Sequence, residues 1–193
     1  MPRKTEPTDT AQKILDIAQR LVQTRGFNAF SYADIAAALH ITKASLHYHF
    51  ASKAELGLKL IERYDRNFLD LLSAIDAEAA GAAHKIRRYV AIYASVLRGN
   101  RMCLCGMMAA EFATLPKSMR GALERFFEMN ERWLAAVLDR GRADGELKFA
   151  GSTIEAAQFL LGALEGSMML ARSQGAAARF DAAAGRLLAE VGA

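Results

Sequence analysis

At 193 residues the chain is long enough for a small head plus one larger helical domain, and its 52% hydrophobic content is that of a core-forming protein. Its apolar stretches fall short of the roughly 18 residues that mark a membrane helix, and the start MPRKTEPTDT lacks the apolar centre of a signal peptide, so a soluble cytoplasmic protein with no membrane partner is expected. The net charge of +4 is unevenly placed: the first 60 residues hold eight Lys and Arg against five Asp and Glu, which suits a head facing phosphates above a nearly neutral remainder.

In chain order, Ile14, Ile17, Ala18, Leu21 and Val22 recur at helical spacing, which predicts a first helix from about Thr10 to Arg25. Gly26 followed by Phe27 fits a left-handed C-cap with its apolar contact. Ahead of it, Arg3 and Lys4 read either as a loose basic arm or as a frayed terminus. Ser31 with Asp34 marks the next helix start, running to about Leu39. Thr42, stapled by Ile41 and Leu46, starts a short helix that ends near Phe50. Only His40 and Ile41 separate the two, so the pair must turn sharply, as in a helix-turn-helix. Ser52 and Glu55 form the S-x-x-E capping box of a much longer amphipathic run.

The second helix of such a pair lies in the DNA major groove with its N-terminal residues toward the base edges. Here it offers Lys43, Ala44, Ser45, His47, Tyr48 and His49, while Leu46 and Phe50 read as core. Lys43, Tyr48, His49 and Lys53 are donors of the kind that hold phosphate oxygens, which fix position without reading sequence. The bland reading makes these polar residues a solvated face, yet an aromatic and histidine cluster is an odd choice for one.

The run R-G-F, S-Y-A-D-I-A-A-A-L, I-T-K-A-S-L-H-Y-H-F and S-K-A-E-L, over residues 10 to 58, resembles the TetR family of bacterial transcription regulators. The resemblance implies a homodimeric repressor whose heads read a palindromic double-stranded operator and whose C-terminal helices bind an inducer. It places Ser31 on a phosphate, Thr42, Lys43, Ala44 and Ser45 in the groove, and Tyr48, His49 and Lys53 on the backbone. His47 departs from the family pattern, which has tyrosine there; imidazole is shorter than phenol, so its reach differs.

Beyond Ser52 the sequence reads as almost pure helix. Leu56, Leu60, Tyr64, Phe68, Leu71, Leu72 and Ile75 form an apolar stripe on a helix of about 25 residues. Gly81 breaks it; a helix with Ile86, Tyr89, Val90, Tyr93, Val96 and Leu97 follows and ends at Gly99 and Asn100. The run from Leu104 through Met107, Met108, Glu111 and Phe112 reads as the next helix. From Pro116 another continues to Arg140, residues 141 to 151 read as a loop, and two helices cover about Ser152 to Arg172 and Ala176 to Val191. The expected fold is all-α, with about nine helices: a helix-turn-helix DNA-binding domain over residues 1–51 and a ligand-binding and dimerisation bundle over 52–193.

The helix from Ser152 carries Phe159, Leu160, Ala163, Leu164, Ser167 and Met168, with Gly162 and Gly166 four apart. Such small residues allow close helix approach, either in ordinary packing or in the four-helix dimer interface that the family resemblance implies. A protein reading two half-sites needs a fixed dimer, which favours the interface.

Residues 101 to 116, RMCLCGMMAAEFATLP, hold both cysteines of the chain. A C-x-C pair supplies half the ligands of a closed zinc site, so no metal and no cofactor is expected. Cys103 falls at a helix start with Arg98 and Arg101 nearby, a setting that lowers a thiol pKa. The alternative makes Cys103 and Cys105 small buried hydrophobes. The pattern C-x-x-G-x-x-A-x-E also resembles a TetR subgroup with members that respond to electrophiles or oxidants through cysteine, and Cys103 is the matching position.

The competing effector is a small hydrophobic molecule in a pocket lined by Tyr93, Met107, Met108, Phe112, Phe126, Trp133 and Met169, with Glu111 or Glu165 orienting a polar or cationic group. A thiol-dependent enzyme would need a base near the cysteine, and His84 alone lies outside the head; no P-loop, G-x-G-x-x-G, H-E-x-x-H or nucleophile elbow occurs. No catalytic residue is assigned. A helical ligand-binding adaptor that does not touch DNA remains the other alternative, distinguished by the lack of salt-dependent DNA retention.

Overall fold

A computed structural model of the chain describes residues 9–193, so Arg3 and Lys4 lie outside the described residues. Among these, nine α-helices and one 3-10 turn occur and no strand. The head consists of α1 (Asp9–Arg25), α2 (Tyr32–Leu39) and α3 (Lys43–His49). Ile14, Ala18 and Val22 of α1 pack with Ile35 of α2, Leu46 of α3 and Phe50 into a core that water does not reach.

The punctuation of the head is local chemistry. Gly26 takes a φ of +98°, and its N–H reaches the carbonyl of Val22 at 2.9 Å, closing α1 as the glycine predicts. The Thr42 hydroxyl accepts the amide of Ser45 at 3.1 Å and starts α3. Between α2 and α3, His40 sits in the left-handed region (φ 54°, ψ 40°), a conformation that no glycine marks at this turn. At Ser31 the Asp34 carboxylate accepts both the amide and the hydroxyl of Ser31 at 2.7 Å, which holds the carboxyl below its ordinary range.

The longest head-to-body connection is α4 (Lys53–Ala77). Its start is a shifted capping box: Ser52 accepts the Glu55 amide at 3.1 Å, and the Glu55 carboxylate reaches back to Ala51 rather than Ser52, at 2.9 Å. Leu56, Leu60, Tyr64, Phe68, Leu72 and Ile75 face inward, but Leu71 is 47% exposed and leaves the stripe, one position off its inward face. Gly57 is required by closeness: a Cβ there would lie 2.7 Å from the Phe27 ring and 2.6 Å from Met119.

The body comprises α5 (Ala82–Arg98), α6 (Leu104–Ala110), a 3-10 turn (Phe112–Thr114), α7 (Lys117–Ala143), α8 (Thr153–Ser173) and α9 (Ala177–Glu190). The α6 helix stops before Glu111, so the single run to Phe112 expected from sequence is two pieces. Conversely α7 overruns the expected stop at Arg140: Gly141 is buried in helix, where Leu147 and Ala82 leave no room for a Cβ. Glu146 then caps α5 from across the body, accepting the amides of Ala82 and Ala83 at 2.6 and 3.0 Å. At the centre, Tyr64, Phe68, Tyr89, Tyr93 and Phe126 form one aromatic cluster with ring centroids 5.4–6.3 Å apart. No helix among the described residues is long and apolar enough to cross a membrane.

Candidate nucleic-acid interface and effector clefts

The face of α3 away from the head core is open. Thr42, Lys43, Ala44, His47 and Tyr48 are exposed, with Tyr48 at 87%, and Ser45 and His49 are half-buried. Ala33, Ala37 and Ala38 of α2 are exposed too and leave no long side chains on that helix's outer surface. A concavity of about 420 Å³ is bordered by Ser31, Tyr32, Lys43, His47 and Lys53. It brings two lysines and a hydroxyl to one spot, an arrangement suited to a phosphate oxygen. Tyr32 braces it: its hydroxyl donates to the carbonyl of Phe50 at 2.9 Å and its ring lies 4.8 Å from that of His47, with burial pushing the phenol up to about 12. His47 Nδ1 lies 3.2 Å from the carbonyl of Ala51, so the proton is on Nδ1 and the imidazole is held close to the head.

Lys53 is less free than the sequence implies. Its ammonium donates to the carbonyl of Phe30 and sits 4.8 and 4.4 Å from the ring centres of Phe27 and Phe30, where burial lowers its pKa. One N–H is committed to the protein, which leaves its other donors for a phosphate.

Cys103 caps α6, accepting the Gly106 amide at 3.5 Å, as its place at a helix start predicts. The electrostatic expectation is overturned. The thiol is 2% exposed, burial and the neighbouring Glu165 carboxylate push it well above its ordinary value, and Cys105 is raised in the same way. Arg98 is exposed and pairs with Asp181 at 3.0 Å, and Arg101 is exposed beside Gly99. Neither lowers the thiol pKa. The Tyr64 hydroxyl lies 3.8 Å from the Cys103 sulfur.

The expected pocket does not assemble. Tyr93, Met108 and Phe126 are core, and the Tyr93 hydroxyl is tied to Tyr89 at 3.2 Å, which donates to Asn130 at 2.9 Å. Phe112 is 38% exposed under the Arg120 guanidinium because α6 has already ended, and Met107 is half-buried against the core. Trp133 stacks on Tyr89, donates to Asp76 at 2.8 Å and lines a cleft of about 290 Å³ with Lys85 and Arg140. Met169 lines a different one, of about 420 Å³, between α6, α7 and α8, together with Glu165, Glu131 and Phe127.

Glu111 has another place than the pocket. Its carboxylate accepts the amide of Phe27 at 2.7 Å and that of Asn28 at 3.2 Å, so it grips the turn after α1. Two further grips lie beside it. Gln23 Nε2 donates to the carbonyl of Met102 at 3.0 Å while the Met102 amide donates to the carbonyl of Gln23 at 3.0 Å, and Arg172 of α8 donates to the carbonyl of Thr24 at 2.7 Å. Gln23, Met102 and Arg172 carried no sequence signal except that Gln23 stands within a helix of apolar neighbours.

Of the interface candidates, Leu160, Leu164 and Met168 are buried within the single chain, in its core, and so are not on a face open to a partner; Ala163 and Ser167 are half-buried. The outward face of α8 carries Phe159, Gly162, Gly166, Met169 and Leu170 instead.

A trihelical head whose third helix is exposed and starts with a lysine, carried by a larger helical body, is the arrangement of a DNA-binding transcription regulator. The chain belongs to the TetR family: residues 14–60 match the family model described as bacterial regulatory proteins, tetR family, and residues 82–187 match the tetracyclin repressor-like C-terminal domain. It is 30% identical over 128 residues to the transcriptional regulator AcuR of Cereibacter sphaeroides, covering 64% of this chain and 58% of that one, so it spans little more than half of that relative's length. It is 26% identical over 164 residues to the HTH-type transcriptional repressor NemR of Escherichia coli K12, covering 79% and 78%. A TetR-family transcriptional regulator from Agrobacterium tumefaciens has a similar structure, with a TM-score of 0.93 at 30% identity over 97% of this chain and all of the other. Homologues and fold are those of transcriptional regulators, not of enzymes.

Proposed function

We propose that the chain is a homodimeric repressor that holds two α3 helices about 34 Å apart in successive major grooves and leaves its palindromic operator when an effector binds the body. Thr42, Lys43, Ala44 and Ser45 face the bases; Ser31, Tyr48, His49 and Lys53 hold the backbone, and His47, tied to Ala51, sits closer to the head than a tyrosine would. The dimer forms through the outward faces of α8 and α9. At Gly162, Gly166 and Gly185 a Cβ would meet nothing within 4 Å, and Ala178, Ala182 and Ala189 extend this low surface along α9.

The observation that carries the release step is the triple grip on the end of α1 by Gln23–Met102, Glu111 and Arg172. It joins α6 and α8 to the head by a route much shorter than α4. A shift of α6 therefore moves α1, and with it α3. A coupling of about 1–3 kcal/mol would lower operator affinity about 5- to 150-fold. Small-molecule binding is the favoured trigger. Electrophilic modification of Cys103 is the second reading, supported by its place at the head of α6, but its burial makes attack wait for local opening.

Fluorescence anisotropy with duplex DNA from the chain's own upstream region tests the reading. Tight binding with a steep salt dependence that Lys43→Ala weakens is expected. Absence of salt-dependent retention would leave the helical adaptor as the better description.

A further inference from the structure

We infer that the cleft between α6, α7 and α8 binds a small organic cation, of the alkylammonium class, with the Glu165 carboxylate as its counter-ion. The inference rests on the effector reading only in calling this ligand an inducer. Glu165 lines the cleft beside Gly106, whose Cβ, if it had one, would overlap a Glu165 oxygen. Both of its oxygens are shut from solvent, and the polar side chain that reaches them is the weakly donating Cys103 thiol, which lowers the carboxyl pKa less than burial raises it. Leaving such a carboxylate without a charged partner is costly, and chains keep one where something else completes it.

The cleft walls indicate what completes it. Among its lining residues are a second carboxylate, Glu131, and no lysine or arginine. Glu131 is oriented at the rim by Gln158, which donates to it at 3.3 Å. Phe127 presents an aromatic ring on the same wall, and a cation beside a ring and a carboxylate is favoured by both. An anion would meet two carboxylates, and a neutral ligand would leave the charge of Glu165 uncompensated. Gly106 and Ala109 of α6 keep the cleft open for a compact alkyl group, and its α8 edge, at Gly162 and Met169, borders the face given to the dimer. Its volume of about 420 Å³ fits a small ammonium compound. Gly106 lies in α6, so occupancy bears on the same helix whose ends hold Met102 and Glu111.

Isothermal titration calorimetry on the full, DNA-free protein tests this with tetramethylammonium and n-butylammonium, against the neutral tert-butanol and n-butanol of matching shape. Binding of a cation, at least about tenfold weaker binding of its alcohol, and at least about a tenfold loss in Glu165→Gln are expected, with a smaller loss in Glu131→Gln. Equal binding of the alcohol, an unchanged affinity in Glu165→Gln, or no heat from either cation up to roughly 10 mM would overturn the inference. Ala109→Leu fills the cleft without touching the carboxylate and decides the matter if the glutamine variant does not fold. Cation binding that leaves operator affinity unchanged would uphold the site and overturn the release reading instead.

Discussion

Replacing Glu165 by glutamine removes a group whose ionisation opposes folding. Burial pushes its pKa from 4.5 up to about 7. Below pH 4.5 both folded and unfolded chains hold the proton and the residue contributes nothing to pH dependence. As pH rises from there the unfolded chain ionises first, so wild-type stability falls through about pH 7 and then levels off. At 1.36 kcal/mol per pKa unit the full loss is about 3 kcal/mol, of which roughly 2–3 kcal/mol falls between pH 5 and pH 8. The glutamine variant has the same shape and does not titrate. Urea unfolding of both proteins, at one fixed protein concentration because a dimer's stability depends on it, should show the variant gaining that amount on the wild type between the two pH values. A gap that is the same at pH 5 and pH 8 to within about 0.5 kcal/mol would refute the claim that this carboxylate is buried without a charged partner.

Glu111→Gln weakens the charge-assisted grip on Phe27 and Asn28; urea unfolding should show a loss of about 1–3 kcal/mol, and the variant should respond less to any effector. Lys53→Ala should weaken binding to all DNA and reduce the salt slope by about 1, whereas Ser45→Ala should change preference among operators; a uniform effect from both would displace α3 from the groove. Cys103 and Cys105 should react with iodoacetamide at pH 8 at least about a hundredfold more slowly in the native protein than in urea, since both thiols are buried and raised; equal rates would mean an open site. Gly166→Glu should yield monomers by sedimentation with the helix content intact, and a persistent dimer would move the interface off α8.

Much of the head was legible because its signals are local. Caps such as Thr42, a stop such as Gly26 and the apolar spacing in α1 act within a turn or two, and the structure places them accordingly. What failed was set by distant partners. The Gly141 helix continues because Leu147 and Ala82 pack on it, and Cys103 is raised because α4 and α8 close over it. Glu111 finds its partners 83 and 84 residues earlier in the chain. In α8 the error was of face: the helix is apolar on both sides, so spacing alone did not separate inward Leu160, Leu164 and Met168 from outward Phe159 and Met169.

The stitching at the end of α1 bears on how such a protein can be recombined. A chimera that exchanged residues 9–51 for another regulator's head would keep the covalent junction at Ser52 while discarding the Gln23 side chain and the turn that presents the Phe27 and Asn28 amides to Glu111. On the proposed release route it would still bind DNA but respond less to an effector of the body. Carrying residues 102–114 along with the head would bring back two of the three grips and leave only that of Arg172 to be matched, which makes that short segment, remote in sequence, a second part of the DNA-reading unit.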